Sequence, residues 1–247
     1  MQYTELTAIV IGHVNYRDSD RIVRLLTPEH GQISALARGA RKSRKRFQGS
    51  LDLGNRVKVQ VRSGKGELWS MTSAMLDRAL MTVRQDLLML SQAAYICEMV
   101  GALAQKGRPE PKLYGLLDTA LMVLEACTAP PTPLFRMAVE AKALTFAGFT
   151  PRLDRCAICG EALEPNEPLV YDPSPGGVLH THCGVGVEVS SKWAAAQEAA
   201  RRTPLTELVD TAPPDGPRWL FQEHLAWQIG SPLKSRKLLA DLEQVAA

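Results

Sequence analysis

The sequence predicts an α+β, multi-domain chain. A small five-stranded β-barrel comes first, and an α-helical body carrying a cysteine-rich insertion follows. Three observations predict this. The first 80 residues are short runs rich in β-branched side chains, separated by turn residues. From Ala79 the apolar period changes from that of strands to that of helices. Residues 152–186 then break the helical pattern and hold three of the five cysteines. The expected division is 1–80 as the barrel, 81–151 as the first part of the helical domain, 152–186 as a metal-binding insertion and 187–247 as the second helical part. A chain of 247 residues is long enough to bury cores of this kind.

The barrel strands follow in order. "TAIVIGHVNY" (7–16) is β-branched and ends in the polar turn Arg17-Asp18-Ser19-Asp20. "RIVRLLT" (21–27) runs into Pro28-Glu29-His30-Gly31, a turn with glycine at its end. "QISALARGA" (32–40) is the third strand. In "RVKVQVR" (56–62), Val57, Val59 and Val61 alternate with Lys58, Gln60 and Arg62, which puts the valines on one face and polar, mostly basic groups on the other. Ser63-Gly64-Lys65-Gly66 is a hairpin signal, and "ELWSMTSAML" (67–76) completes the pair. Five short strands in this length fit an OB-type barrel.

Leu80–Gln105, Lys112–Cys127 and Thr132–Ala147 are long, Ala/Leu/Met-rich and helical, punctuated by Pro109, Pro111 and the Pro130-Pro131-Thr132-Pro133 cluster. Gly148 closes the third. Ser190–Arg202, Pro217–Ile229 and Pro232–Val245 are helical again. The most apolar run, Leu87 to Ala104, contains Ser91, Gln92, Tyr95 and Glu98, so it reads as a buried helix and no membrane span is expected. No basic n-region precedes an apolar stretch, so no signal peptide is read. An odd cysteine count argues against a disulfide framework and for a reducing, cytoplasmic compartment.

The insertion reads "CAICGEALEPNEPLVYDPSPGGVLHTHC". Cys156-x-x-Cys159 and His180-x-x-Cys183 are two ligand pairs, and two tight turns each offering a pair is how a short segment supplies zinc with four N/S ligands. The stretch "PLVYDPSPGGVL" between them reads as a zinc-ribbon-like hairpin. Either His180 or His182 can supply the nitrogen; the x-x spacing favours His180. A four-ligand site has no open position, so the zinc is read as structural. No histidine is followed two positions on by Glu, Cys156 is preceded by Arg155, and H-E-x-x-H is absent, which removes deaminase and metalloprotease readings. Phosphate-loop and nucleophile-elbow motifs are also missing, so no catalytic residue is assigned and no enzyme is expected.

Formal net charge is only +3, yet it is unevenly placed. Residues 1–80 hold 14 of the 29 Lys+Arg and 7 of the 26 Asp+Glu, a net of +7, which leaves −4 for the rest. Six cations, Arg38, Arg41, Lys42, Arg44, Lys45 and Arg46, fall within nine residues. A cationic loop at a barrel rim suits backbone phosphates, and Lys58 and Arg62 extend it along a strand face. Tyr16, Phe47 and Trp69 are candidate stacking surfaces for bases. These residues point to nucleic acid.

The order of elements resembles the RecO family of bacterial recombination-repair mediators. The resemblance is carried by "RIVRLLTPEHGQISALARGARKSRKRF", "LDLGNRVKVQV…GELW", "CAICG…GGVLHTHC" and the closing "GSPLKSRKLL", and it covers nearly the full chain. In that family the metal element, where present, usually has two Cys-x-x-Cys pairs; here His180 stands at the third Cys position. The resemblance implies an N-terminal OB domain and a helical body. It implies binding to single- and double-stranded DNA, annealing of complementary strands, and a RecR partner that helps RecA load. It implies contact with the acidic C-terminal tail of the single-strand-binding protein, and a cytoplasmic, nucleoid-associated location. For that tail, the densest cations in the body are Lys234, Arg236 and Lys237, beside Leu233, Leu238, Leu239 and Leu242, which can face a core; Arg108, Lys112 and Lys142 are rivals. The alternative class is a regulator or scaffold that reads duplex sequence and carries a structural zinc; a marked preference for one duplex sequence separates it from a backbone-tracking protein.

Overall fold

The computed structural model describes residues 3–43, 45–63 and 66–246. They form two compact units, Met1–Ala126 and Cys127–Ala247.

The first unit is built on a closed barrel in the order β1-β2-β3-β5-β4. Its strands are β1 (Thr4–Tyr16), β2 (Asp20–Thr27), β3 (Gly31–Ala37), β4 (Arg56–Arg62) and β5 (Leu68–Arg78). The first half of β1 pairs with β4 and the second half with β2, and a bulge between Val10 and Gly12 lets this one long strand bend around the barrel. Closure comes from a parallel pairing, Ala35 against Trp69 and Ala37 against Met71. Val57, Val59 and Val61 point inward and are fully buried, while Lys58 is exposed. Gly31 sits at φ +58, and a Cβ there would lie 2.2 Å from the Gln105 carbonyl oxygen, so this turn needs glycine twice over.

Two helices complete the unit, α1 (Leu87–Leu103) and α2 (Pro111–Ala126). Gly101 of α1 lies against Ile11 of β1, where a Cβ would be 2.8 Å from Ile11 Cδ1. The expected helix from Leu80 starts only at Leu87. Asp86 caps it by accepting from the Met89 N–H at 2.9 Å, and the Glu125 carboxylate takes the N–H groups of Met81, Thr82 and Val83, which holds that stretch out of the helix. Arg56 and Arg78 are neutralised by Asp118 of α2, and Arg56 also by Asp77.

The second unit contains α3 (Pro133–Phe146), a three-stranded sheet in the order β7-β6-β8, and α4 to α6. The strands are β6 (Leu169–Asp172), β7 (Gly177–His180) and β8 (Val187–Val189); the helices are α4 (Ser191–Arg202), α5 (Leu220–Ile229) and α6 (Arg236–Ala246). Tyr171 of β6 is buried against Trp193 of α4 and Phe221 of α5, both edge-on, and its hydroxyl is hydrogen-bonded to His224 Nδ1 at 2.7 Å. Burial pulls His224 down to about 4, so the ring is neutral. Buried Arg136 of α3 binds Glu140 at 2.8 Å and Glu243 of α6 at 2.9 Å. Helices expected from Pro217 and Pro232 begin at Leu220 and Arg236. Leu238, expected toward a core, is 53% exposed; on its helix Leu239 is the buried leucine and Leu242 is half-buried. No described helix is long and apolar enough to cross a membrane.

Candidate nucleic-acid interface and metal centre

The basic loop crosses between β3 and β4. Phe47 and Leu51 drop from it into the barrel core and anchor it. Phe47 is therefore a core residue, 4% exposed, and its ring is not open to a stacked base. The loop is also pinned to the β1–β2 turn. Gly39 N–H donates to Asp20 Oδ1 at 2.8 Å, Arg41 N–H to the Ser19 carbonyl at 3.0 Å, and the Arg41 guanidinium to the Asp18 carbonyl at 3.2 Å. The Arg46 guanidinium reaches back to the Arg38 carbonyl at 2.9 Å and lies 5.2 Å over the Phe47 ring. Arg38, Arg41, Lys42, Lys45 and Arg46 are exposed; Arg44 lies outside the described residues.

The loop and the strand cations lie on two sides of β5. The Ala74 N–H donates to the Arg46 carbonyl at 2.9 Å, and Ala74 pairs with Val59 of β4. Lys58, exposed, is next to that pairing, opposite Met75; Arg62, half-buried, is opposite Ser70 and lies 5.4 Å over the Tyr3 ring. With strands about 4.8 Å apart, loop and β4 are separated by roughly 10 Å. Tyr16 is exposed, with Arg17 5.2 Å over its ring, whereas Trp69 packs against the barrel core and His30.

The sequence reading did not single out one further group. Val14, Ile22 and Leu36 lie opposite one another on β1, β2 and β3, with Ser70 and Arg62 continuing the row. The inward partners of the neighbouring row, Val23 and Ala35, are fully buried, so this row faces outward. Arg24, exposed, sits in the adjacent outward row with Ser34 and Leu68, and its guanidinium covers Gly12 so closely that a Cβ there would lie 2.6 Å from Arg24 Nη2.

In the second unit, Cys156, Cys159, His180 and Cys183 bring one donor atom each to within 4.8 Å of one another, a group that can hold a metal ion. Two knuckles build it. Gly160 N–H donates to the Cys156 carbonyl at 3.0 Å with Gly160 at φ +78, and Cys183 N–H donates to the His180 carbonyl at 2.9 Å. The antiparallel hairpin β6–β7 holds the knuckles together, with His180 opposite Leu169. Nδ1 of His180 lies 3.4 Å from the Cys159 sulfur. Its Nε2 faces the Ala162 carbonyl at 3.2 Å and the Glu167 carboxylate at 3.3 Å. Those acceptors keep the proton on Nε2 and leave the Nδ1 lone pair turned to the thiols. His182 is stacked on His180 at 5.1 Å between centroids and stands outside the four-atom group. Desolvation alone would raise the Cys156 thiol, but N–H groups of Cys159, His180 and Ile158 hold it down at about 6. Cys183 is pushed up to about 11 by desolvation and by the Cys159 and Cys156 sulfurs. Sulfurs that compete for protons around one point are a donor set that a divalent ion can complete.

Lys234, Arg236 and Lys237 lie at the start of α6. Lys234 and Lys237 are exposed, and Arg236 binds Glu223 of α5 at 2.6 Å.

Comparison with known proteins agrees with this architecture. Residues 1–78 match the family model "Recombination protein O N terminal", and residues 84–237 match "Recombination protein O C terminal". The chain is 36% identical over 244 residues to the DNA repair protein RecO of Myxococcus xanthus (strain DK1622), covering 95% of this chain and 96% of that protein. It is 35% identical over 255 residues to the DNA repair protein RecO of Anaeromyxobacter sp. (strain K), covering 98% of each. The RecO of Symbiobacterium thermophilum is 37% identical over 184 residues, 74% of this chain and 72% of that protein. The chain belongs to the RecO family of DNA repair and recombination proteins.

Proposed function

We propose that the chain is a DNA-binding recombination mediator rather than an enzyme. In this reading the barrel binds single- and double-stranded DNA and brings complementary strands together. With RecR, the protein then helps RecA load onto DNA coated by single-strand-binding protein, in the bacterial cytoplasm at the nucleoid. The observation that carries the reading is the cationic loop 38–46, whose described cations are exposed on a backbone tied to two neighbouring segments. A backbone held by hydrogen bonds presents its cations at fixed positions, and contacts to phosphates are indifferent to base sequence. Arg44 belongs to the same group by sequence, and Lys58 and Arg62 extend it. Annealing follows from charge, since a cationic surface lowers the repulsion between two polyanionic strands.

The ion held by Cys156, Cys159, His180 and Cys183 is zinc in this proposal, matching three thiolates and one imidazole. Bound zinc would supply folding free energy to the insertion, and four protein ligands leave no position for a reacting water. The acidic tail of the single-strand-binding protein docks at Lys234, Arg236 and Lys237, with half-buried Leu233 and Leu242 offering apolar contact. Arg236 exchanges Glu223 for a carboxylate of the tail. The test is an annealing assay on complementary oligonucleotides, with and without single-strand-binding protein. Replacing Arg38, Lys42 and Lys45 by Ala should slow annealing of bare strands at least tenfold. Reversing Lys234, Arg236 and Lys237 to Glu should slow only the coated strands. Annealing at the wild-type rate by the loop variant refutes the reading.

A further inference from the structure

We propose that the metal-binding insertion is an acidic docking surface for the cationic loop of a second copy of this chain. The protein then associates with itself through the loop that DNA would otherwise take. The competition with DNA rests on the reading that the loop binds DNA; the self-association does not. The first observation is where the charge lies. Residues 152–189 hold 2 Lys+Arg and 6 Asp+Glu, a net of −4. That is the whole acidic excess beyond residue 80, since the other residues there hold 13 Lys+Arg and 13 Asp+Glu. The chain is therefore a +7 barrel segment, a −4 insertion and a balanced remainder. Three thiolates around a divalent ion would add one more negative charge to the insertion. A surface of this sign repels nucleic acid and attracts cations.

The second observation is what the insertion leaves uncovered. Cys156, Val170 of β6 and Leu179 of β7 form its small core, with Cys183 packed against it. Both knuckles lie over that face of the sheet; a Cβ on Gly184 would be 2.8 Å from Leu179 Cδ1. The apolar side chain at the tip of each knuckle stays outside the core: Ile158 is 59% exposed and Val185 84%. Acids frame the two tips. Glu188 of β8 is opposite Val170, so its exposed side chain leaves the sheet on the knuckle face. Glu161, also exposed, follows the first knuckle, and its carbonyl accepts the Cys156 N–H at 2.9 Å. Apolar tips among carboxylates fit a partner that offers apolar groups among cations. The loop 38–46 is such a surface. Arg38, Lys42 and Lys45 are exposed on it, and the Gly39 bond to Asp20 ties it to the residue opposite Tyr16, which is 37% exposed. The contact joins unlike surfaces, so copies add head to tail into open chains rather than a closed pair. Each contact masks one loop, and DNA that takes the loop breaks the contact.

The test is sedimentation velocity of the full chain, purified with zinc present, over a concentration series. The wild type should grow in mean size with concentration. Association should be about tenfold weaker at about 1 M than at about 0.1 M salt, because the screening length falls from about 10 Å to about 3 Å. Glu161→Lys with Glu188→Lys, and separately Arg38→Glu with Lys42→Glu, should each stay monomeric. An equimolar mixture of these two variants should associate again, since the cationic insertion of one meets the anionic loop of the other; variants that had failed to fold cannot give this recovery. A saturating oligothymidine should disperse the wild-type assemblies. A wild type that stays monomeric throughout at the lower salt, a closed dimer that survives loop reversal, or a mixture that does not associate overturns the proposal. Assemblies that persist with oligothymidine bound overturn it too, because the loop cannot serve both ligands at once. An oligothymidine that fails to bind even the monomer refutes the DNA-binding reading instead, and recovery in the mixture still upholds the self-association.

Discussion

Glu167→Gln is a small change with a defined consequence for the metal centre. Glu167 Oε1 lies 3.3 Å from His180 Nε2 and also accepts the Glu164 N–H at 2.5 Å, so the carboxylate is held where it faces the imidazole proton. A carboxylate in that place makes the opposite nitrogen, Nδ1, a better donor to the ion, and the isosteric amide keeps the Glu164 contact while removing the charge. Loss of such a partner typically lowers metal affinity about 10- to 100-fold. The Ala162 carbonyl at 3.2 Å still holds the proton, and the Glu167 side chain is 23% exposed, so the lower end is expected. That is about tenfold in zinc affinity, or ~1.4 kcal/mol. The assay is competition against a chromophoric chelator at pH 7, run also in a His180→Cys background. A thiolate there has no N–H to offer, and a carboxylate beside four thiolates repels, so Glu167→Gln should leave that site unchanged or tighter. Wild-type affinity in Glu167→Gln, or the same tenfold loss with Cys at 180, refutes the reasoning.

Three further outcomes concern the frames that carry the sites. Tyr171→Phe leaves the buried His224 Nδ1 without its hydrogen-bond partner and should cost about 1 to 3 kcal/mol, read as a lower denaturant midpoint. His224 titrates at about 4 in the fold against an ordinary 6.5, so the unfolded chain takes up the proton first. Its contribution is complete above pH 6.5 and falls as pH drops toward 4, by up to about 1.4 kcal/mol per unit; melts of wild type and His224→Gln across that window check the slope. Gly31→Ala forces a Cβ to 2.2 Å from the Gln105 carbonyl at φ +58 and should destabilise the first unit by roughly 1 to 3 kcal/mol, seen by thermal melting.

What could be read before the fold was known follows from how local each signal is. Alternation in "RVKVQVR" is a property of one strand, and Val57, Val59 and Val61 are buried accordingly. The Cys156-x-x-Cys159 and His180-x-x-Cys183 spacings are likewise local, and their donor atoms converge. The parallel β3–β5 pairing joins segments that carry no mark of each other, so closure of the barrel was not legible strand by strand. Asp86 and Glu125 delay the first helix through caps that only the folded chain brings together. Glu167 had no sequence signal, because its importance depends on where the hairpin turns. Val14, Ile22 and Leu36 were hidden for another reason. In sequence an outward aliphatic looks the same as a core one, and the Val10/Gly12 bulge changes which β1 side chains face out. Phe47 fails in the opposite sense, since a ring beside six cations resembled a stacking surface and instead anchors the loop.

The central claim is that the loop 38–46 grips DNA phosphates, and the salt dependence of binding tests it most directly. Arg41 and Arg46 are tied to the Asp18 and Arg38 carbonyls, which leaves Arg38, Lys42 and Lys45 as exposed loop cations whose side chains make no hydrogen bond or ion pair among the described residues. Each phosphate contact contributes about 0.7 to the slope of log K against log salt on single strands and about 0.9 on duplex. Replacing these three by Ala should therefore flatten the slope by about 2 to 3, with weaker binding to every sequence tried. A slope identical to wild type would place the phosphate contacts elsewhere on the protein and contradict the account.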